Sequence, residues 1–135
     1  MIAPLLVFSD WALLILRIVV GIIFIAHGWP KFKDLKANAG SFEMMGFKPG
    51  ILWGTIVAFV EFLGGLALLV GFATQLAALL IAFDMLVAFL WKVQRGQKLV
   101  GGFELDLTLM ASVLVLATIG AGSLSLDSFL GLALY

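Results

Sequence analysis

Apolar residues gather along this chain into four long stretches separated by short polar breaks. A helix needs roughly 20 apolar residues to cross a bilayer. Residues 11–29 form the first stretch, whose only ionisable groups are Arg17 and His27. Residues 51–72 contain Glu61 alone, and residues 74–91 contain Asp84 alone. Residues 103–120 carry Glu104 and Asp106 in what would be their first turn. The pattern predicts an all-α membrane protein: an antiparallel bundle of four transmembrane helices forming one domain over residues 1–135. The break at 71–75 leaves room only for a tight helix hairpin. Ser9-Asp10 offers an N-cap to the first span, Pro30 marks its expected end, and Gly71 and Gly120 close the second and fourth. The apolar ends, 2–8 and 129–135, are too short to span and are expected at the interface or against a neighbouring chain.

Composition narrows the chemistry. The chain is 64% hydrophobic and 12% charged, too few charges to cover a water-facing surface. It has no Cys, which excludes disulfides, thiol catalysis and Cys-bound clusters. Its single His cannot supply two haem ligands, and no metal site is expected. A net charge of +0 gives nucleic acid no electrostatic foothold. Lys31, Lys33, Lys36 and Lys48 lie in the 30–50 loop, and Lys92, Arg95 and Lys98 in the third break. The ends and the second break carry no Lys or Arg. That asymmetry places both basic loops in the cytoplasm and both termini outside. No basic segment or convincing cleavage site precedes Trp11, so the first span is expected to be retained. In the 30–50 loop, Phe32, Leu35, Phe42, Met45 and Phe47 alternate with Lys and Glu, as in a headgroup-bound lid or a substrate gate. Trp11, Trp29, Trp53 and Trp91 sit near span ends as an aromatic belt.

Arg17, Glu61 and Asp84 lie deep, where an ionisable group costs about 3 kcal/mol on insertion scales. They are expected to face the bundle interior and pair. Helical spacing puts Arg17, Gly21, Phe24, Gly28 and Lys31 on one stripe, and Gly54, Ala58, Glu61 and Gly65 on another. Ala77, Asp84, Ala88 and Trp91 make a third, and Glu104, Thr108, Ala111, Val115 and Thr118 a fourth. Small residues let helices approach closely in lipid, so these are the expected packing faces. The lean of side chains toward helix N-termini pairs Arg17 with Asp84 in the outer half and sets Glu61 near His27 and Glu104 in the inner half. One Arg then meets two carboxyl groups, and Glu61 is expected to be the unbalanced one, suited to exchanging a proton or bonding a ligand. The plainer alternative is a neutral Glu61 that holds helices together. His27 could likewise bind a ligand, relay protons, or pair at the interface with Glu104 or Asp106.

Several of these segments together resemble the DoxX family of small four-helix membrane proteins. They are Leu16-Arg17-Ile18-Val19-Val20-Gly21 through His27-Gly28 and Lys31-Phe32, then Gly46-Phe47-Lys48-Pro49. Next come Glu61-Phe62-Leu63-Gly64-Gly65 through Gly71, Thr74-Gln75-Leu76-Ala77 leading into Asp84-Met85, Gly101-Gly102-Phe103-Glu104, and Gly120 to Asp127. The order and spacing cover nearly the whole chain. Gln75 and Ala121 depart from the family's frequent Arg and Pro, which removes an outer-face anion contact but not the fold. The resemblance implies a multi-pass protein of a prokaryotic inner membrane that serves as an accessory subunit of a quinone-linked redox system. That system would be of the quinol oxidase or thiosulfate:quinone oxidoreductase type.

Three roles follow. The first is that redox subunit, with a quinone as the cofactor in play and electrons supplied by a membrane partner. The second is a transporter or binder of a small hydrophobic molecule, requiring a homo-oligomer for alternating access. The third is an assembly subunit whose charges fix helix register. Arg17, His27, Glu61, Asp84 and Glu104 are the candidate ligand- or proton-binding residues in each.

Overall fold

The computed structural model describes residues 3–132; positions 1, 2 and 133–135, the outermost parts of the two apolar ends, lie outside the described residues. The chain forms α1 (Ser9–Lys33), α2 (Leu35–Met44), α3 (Gly50–Val70), α4 (Thr74–Gln94), α5 (Glu104–Ile119) and the one-turn α6 (Leu126–Phe129). A 3₁₀ segment, Ala3–Phe8, leads into α1, and a π turn, Leu99–Phe103, leads into α5. Four segments are long and apolar enough to cross a membrane, and no strand occurs among the described residues. The protein is an all-α, four-span membrane bundle. One end carries the start of α1, the one-turn α6 and the α3/α4 turn; the other carries Lys31, Lys92 and the 30–50 segment. They are called here the terminal end and the basic end.

The first span does not stop at Pro30. Proline costs a helix one backbone hydrogen bond, yet α1 continues to Lys33, and Asp34 N–H closes it on Pro30 O at 3.3 Å. The extra turn has compensating contacts. Phe32 stacks on Phe62 with ring centres 5.0 Å apart, and Lys31 Nζ reaches Glu61 Oε2 at 2.7 Å. The 30–50 segment is likewise more ordered than a loop. Asp34 caps α2 by accepting from Ala37 N–H. Buried Asn38 donates to Gly54 O at 2.7 Å, and Glu43 Oε1 accepts from Gly50 N–H at 2.7 Å. α2 is therefore fastened along the start of α3.

The bundle runs α1–α3–α4–α5. α1 packs most extensively against α3, and α4 against α5, while α1 and α5 meet only sparsely. Glycine makes the α1/α3 contact possible. A methyl group on Gly28 would fall 2.5 Å from Phe62 N, and one on Gly65 would fall 2.8 Å from Ile25 N. Backbone stands in both places, so nothing flexible can give way. The stripes expected on the first two spans are indeed the packing faces: Arg17, Gly21, Phe24 and Gly28 are buried on α1, and Gly54, Ala58, Glu61 and Gly65 on α3.

On α5 the expectation fails. Glu104, Thr108, Ala111, Val115 and Thr118 are exposed, and Asp106, Leu109, Val113 and Leu116 are buried instead. The hydroxyls of Thr108 and Thr118 bond their own helix's carbonyls, at 2.8 Å to Glu104 O and 2.9 Å to Leu114 O. A hydroxyl satisfied inside its own helix has no need to face inward. Phe24, Leu68, Ile81, Val113 and Leu116 fill the centre and are almost wholly buried.

Overpacking a tight core typically costs 1–3 kcal/mol. Gly28→Ala is expected to destabilise the purified protein by about that much in thermal unfolding in detergent. Gly40→Ala, where an added methyl meets open space, is expected to leave the transition unchanged or raise it slightly.

Candidate functional site

Charged residues gather at both ends of the bundle, and the two groups differ in kind.

At the terminal end, Arg17 is 1% exposed. Its Nη1 donates to Leu68 O at 3.4 Å and its Nη2 donates to Leu124 O. Leu68 lies in the last turn of α3, where free carbonyls and the helix dipole favour a cation. Opposite stands Asp127, whose charge acts on Arg17. Asp127 Oδ1 and Oδ2 accept from the N–H groups of Ala73 and Thr74, at 2.7 and 2.9 Å. A carboxylate at the start of α4 satisfies orphan donors and complements the dipole. Asp127 N–H in turn donates to Gly71 O at 2.8 Å. Gly71 has φ 73°, and a methyl group there would collide with Arg17 and Ser125, so glycine is required on two counts. The turn that joins α3 to α4 is thus pinned by a residue more than fifty positions later.

At the basic end, each spanning helix contributes a charged group to one buried cluster. α1 brings Lys31, α3 Glu61, α4 Asp84 and Lys92, and α5 Asp106. Lys31 pairs with Glu61 and Lys92 with Asp106, each at 2.7 Å. Asp84 lies close enough to Glu61, Lys31 and Asp106 for their charges to act on it. Asp84 Oδ2 is buried and has no hydrogen-bond partner among the described residues. Glu61 is eleven residues into α3, about 16 Å along the axis. Lys31 on α1 leans back toward its helix N-terminus, and Glu61 leans back toward its own, so the two side chains converge. The Lys31 side chain keeps 30% of its surface exposed while that of Glu61 keeps 5%. A partly exposed lysine thus neutralises a buried carboxylate.

These arrangements correct the expected pairs. Arg17 does not meet Asp84: its partners are two carbonyls and Asp127, which the turn chemistry of the terminal end brings to it. Glu61 is not the unbalanced carboxyl, because the helical turn beyond Pro30 carries Lys31 to it; the oxygen without a partner belongs to Asp84. His27 is exposed and takes no part in the cluster. Glu104 is also exposed, and its Oε1 accepts from Gly101 N–H at 3.2 Å. Asp106 takes the inward place, two residues further along α5. Its spacing with Leu109, Val113 and Leu116 is the available signal. Asp127 has one as well: Ser125 two positions before it is an N-cap residue, and its Oγ accepts from Ser128 N–H at 3.2 Å.

Asp127→Ala removes two acceptors and the charge facing Arg17. The apparent unfolding free energy in detergent is expected to fall by roughly 2–3 kcal/mol, with Asp127→Asn losing less. Equal stability of all three proteins would show that the end is held by something else.

Comparison with known proteins agrees with this architecture. The family model described as DoxX matches residues 12–94. The chain is 37% identical over 124 residues to the protein named "Inner membrane protein YqjF" of Escherichia coli (strain K12), covering 90% of this chain and 94% of that one. It is 30% identical over 116 residues to "Putative oxidoreductase CatD" of Bacillus subtilis (strain 168), covering 86% of this chain and 84% of that one. No solved structure matches. A buried, glycine-packed four-span bundle and a family match over most of its length lead to one conclusion: the chain belongs to the DoxX family.

Proposed function

We propose that this protein is the membrane-embedded accessory subunit of a quinone-linked redox system in a prokaryotic inner membrane. Its basic-end cluster would handle the protons of that reaction on the cytoplasmic side. The observation that carries this reading is the convergence of Lys31, Glu61, Asp84 and Asp106, one from each spanning helix, on one charged cluster at the basic end. Reducing a quinone to a quinol consumes two electrons and two protons, so a reaction within the bilayer needs groups that bring protons to it.

The residues present suit a quinone. Its carbonyl oxygens accept hydrogen bonds, and the cluster offers a lysine ammonium and a carboxyl group able to carry a proton. Lys31 and Asp84 are the residues that would hold it. Bound there, the quinone would supply the electron-accepting chemistry. Glu61 would hold Lys31 in place, and Asp84 would take up and release a proton at Oδ2. With no Cys and one His in the chain, electrons would come from a partner subunit. The name borne by the Bacillus subtilis relative supports an oxidoreductase setting.

The test is purification from native membranes under gentle conditions, followed by native mass spectrometry and quinone extraction. A stoichiometric quinone or a redox partner is the expected result. Asp84→Asn keeps the shape and a hydrogen bond but cannot carry a proton, and is expected to lower turnover of the partner complex at least about tenfold with assembly intact. Thr108→Ala, on the exposed face of α5, is expected to change nothing. Unchanged quinone content and turnover in both Glu61→Gln and Asp84→Asn would end this reading. Loss of assembly without loss of specific turnover would make the protein a structural subunit.

A further inference from the structure

A cavity of about 820 Å³ lies at the terminal end, between the start of α1, the start of α4, the last turn of α5 and the segment before α6. It is remote from the acid cluster and stands apart from the proposed proton chemistry. Four observations define what it would take. Its walls on α1 and α5 are apolar: Ala12, Leu13 and Leu16 on one side, Val115 and Ile119 on the other. Those two helices meet only sparsely, so the wall between them is the natural opening toward lipid. On the inner side lies Thr74, 1% exposed, whose Oγ1 has no hydrogen-bond partner among the described residues. A buried hydroxyl without a partner costs roughly 1–3 kcal/mol, a cost that an acceptor placed beside it would remove. Finally, the charged lining residues are Asp10 and Asp127, with no Lys or Arg among the described lining. Asp127 is engaged at the start of α4, and Asp10 Oδ1 accepts from Ser123 N–H at 3.1 Å across the rim. An anionic head would meet two carboxylates and no cation.

We infer that this cavity is a binding site for an uncharged lipid-soluble molecule with a carbonyl head and an apolar tail. The carbonyl accepts from Thr74 Oγ1, and the tail leaves between α1 and α5. An ester lipid and a quinone share this chemistry. The cavity lies within the usual size range of small-molecule sites, and its balance of apolar walls and a few polar atoms is characteristic of them.

The test is binding measured by native mass spectrometry of the full chain in detergent. The probes are dioleoylglycerol, decylubiquinone and, as the anionic comparison, dioleoylphosphatidylglycerol. The wild-type protein is expected to retain one uncharged probe, and whichever arm is retained identifies the source. Thr74→Val is expected to weaken binding about fivefold, the value of one neutral hydrogen bond, while Thr74→Ser retains it. Ala12→Trp is expected to abolish binding by filling the cavity, with helix content checked by circular dichroism. Should that variant misfold, the Thr74 pair still decides. Glu61→Gln is expected to bind as wild type does, which separates this site from the acid cluster. Retention of the anionic lipid alone, retention of no probe, or equal retention by Thr74→Val and the wild type would each overturn the proposal.

Discussion

A guanidinium removed from water must be surrounded by oxygen, and the terminal end of this bundle is organised around that requirement. Arg17 finds carbonyls at the negative end of α3 and in the segment before α6, with the Asp127 carboxylate close by. Two of those groups perform a second task. Leu68 O also accepts from Gly71 N–H where α3 ends, and Asp127 satisfies the first N–H groups of α4. One buried cation thereby ties together α1, the α3/α4 turn and the last segment of the described chain. Removing any one member leaves the others with unmet polar groups in a medium that offers no substitute.

The two ends answer the same constraint differently. The terminal end uses mostly backbone partners of fixed position, so its charges are held in place. The basic end uses long, partly exposed lysine side chains against carboxyl groups. The first arrangement suits a structural lock and the second suits proton exchange. Phe24, Leu68, Ile81, Val113 and Leu116 belong to one buried apolar core.

Much of this is legible in the sequence. Four apolar stretches define the spans, and the small-residue stripes on the first two spans are the packing faces. Gly21, Gly28 and Gly65 carry that information because close approach in lipid depends on them directly. The pairing of charges is harder to read. Lys31 reads as part of the loop because proline usually ends a helix, whereas tertiary contacts of Phe32 and Lys31 carry α1 onward. The α5 face misleads because hydroxyl-bearing residues read as polar, although in a helix they can bond their own backbone. Depth alone matches Arg17 to the nearest carboxyl on another span. Its real counter-charge lies in a short segment whose path depends on backbone turns that periodicity does not describe.

The distance along the chain between Arg17 and its partners bears on how the protein is made. Arg17 enters the membrane with the first span, but the carbonyl of Leu124 that it bonds lies 107 residues later, and Asp127 later still. During synthesis the α1/α3 and α4/α5 pairs can each close on their own contacts as they emerge. The terminal end cannot close until translation has passed all four spans. Until that point the nascent chain holds an arginine in the membrane with the Leu68 carbonyl but without Leu124 O and Asp127, a state in which the insertion machinery or surrounding water must stand in for them. The completed segment before α6 converts two inserted helix pairs into one bundle.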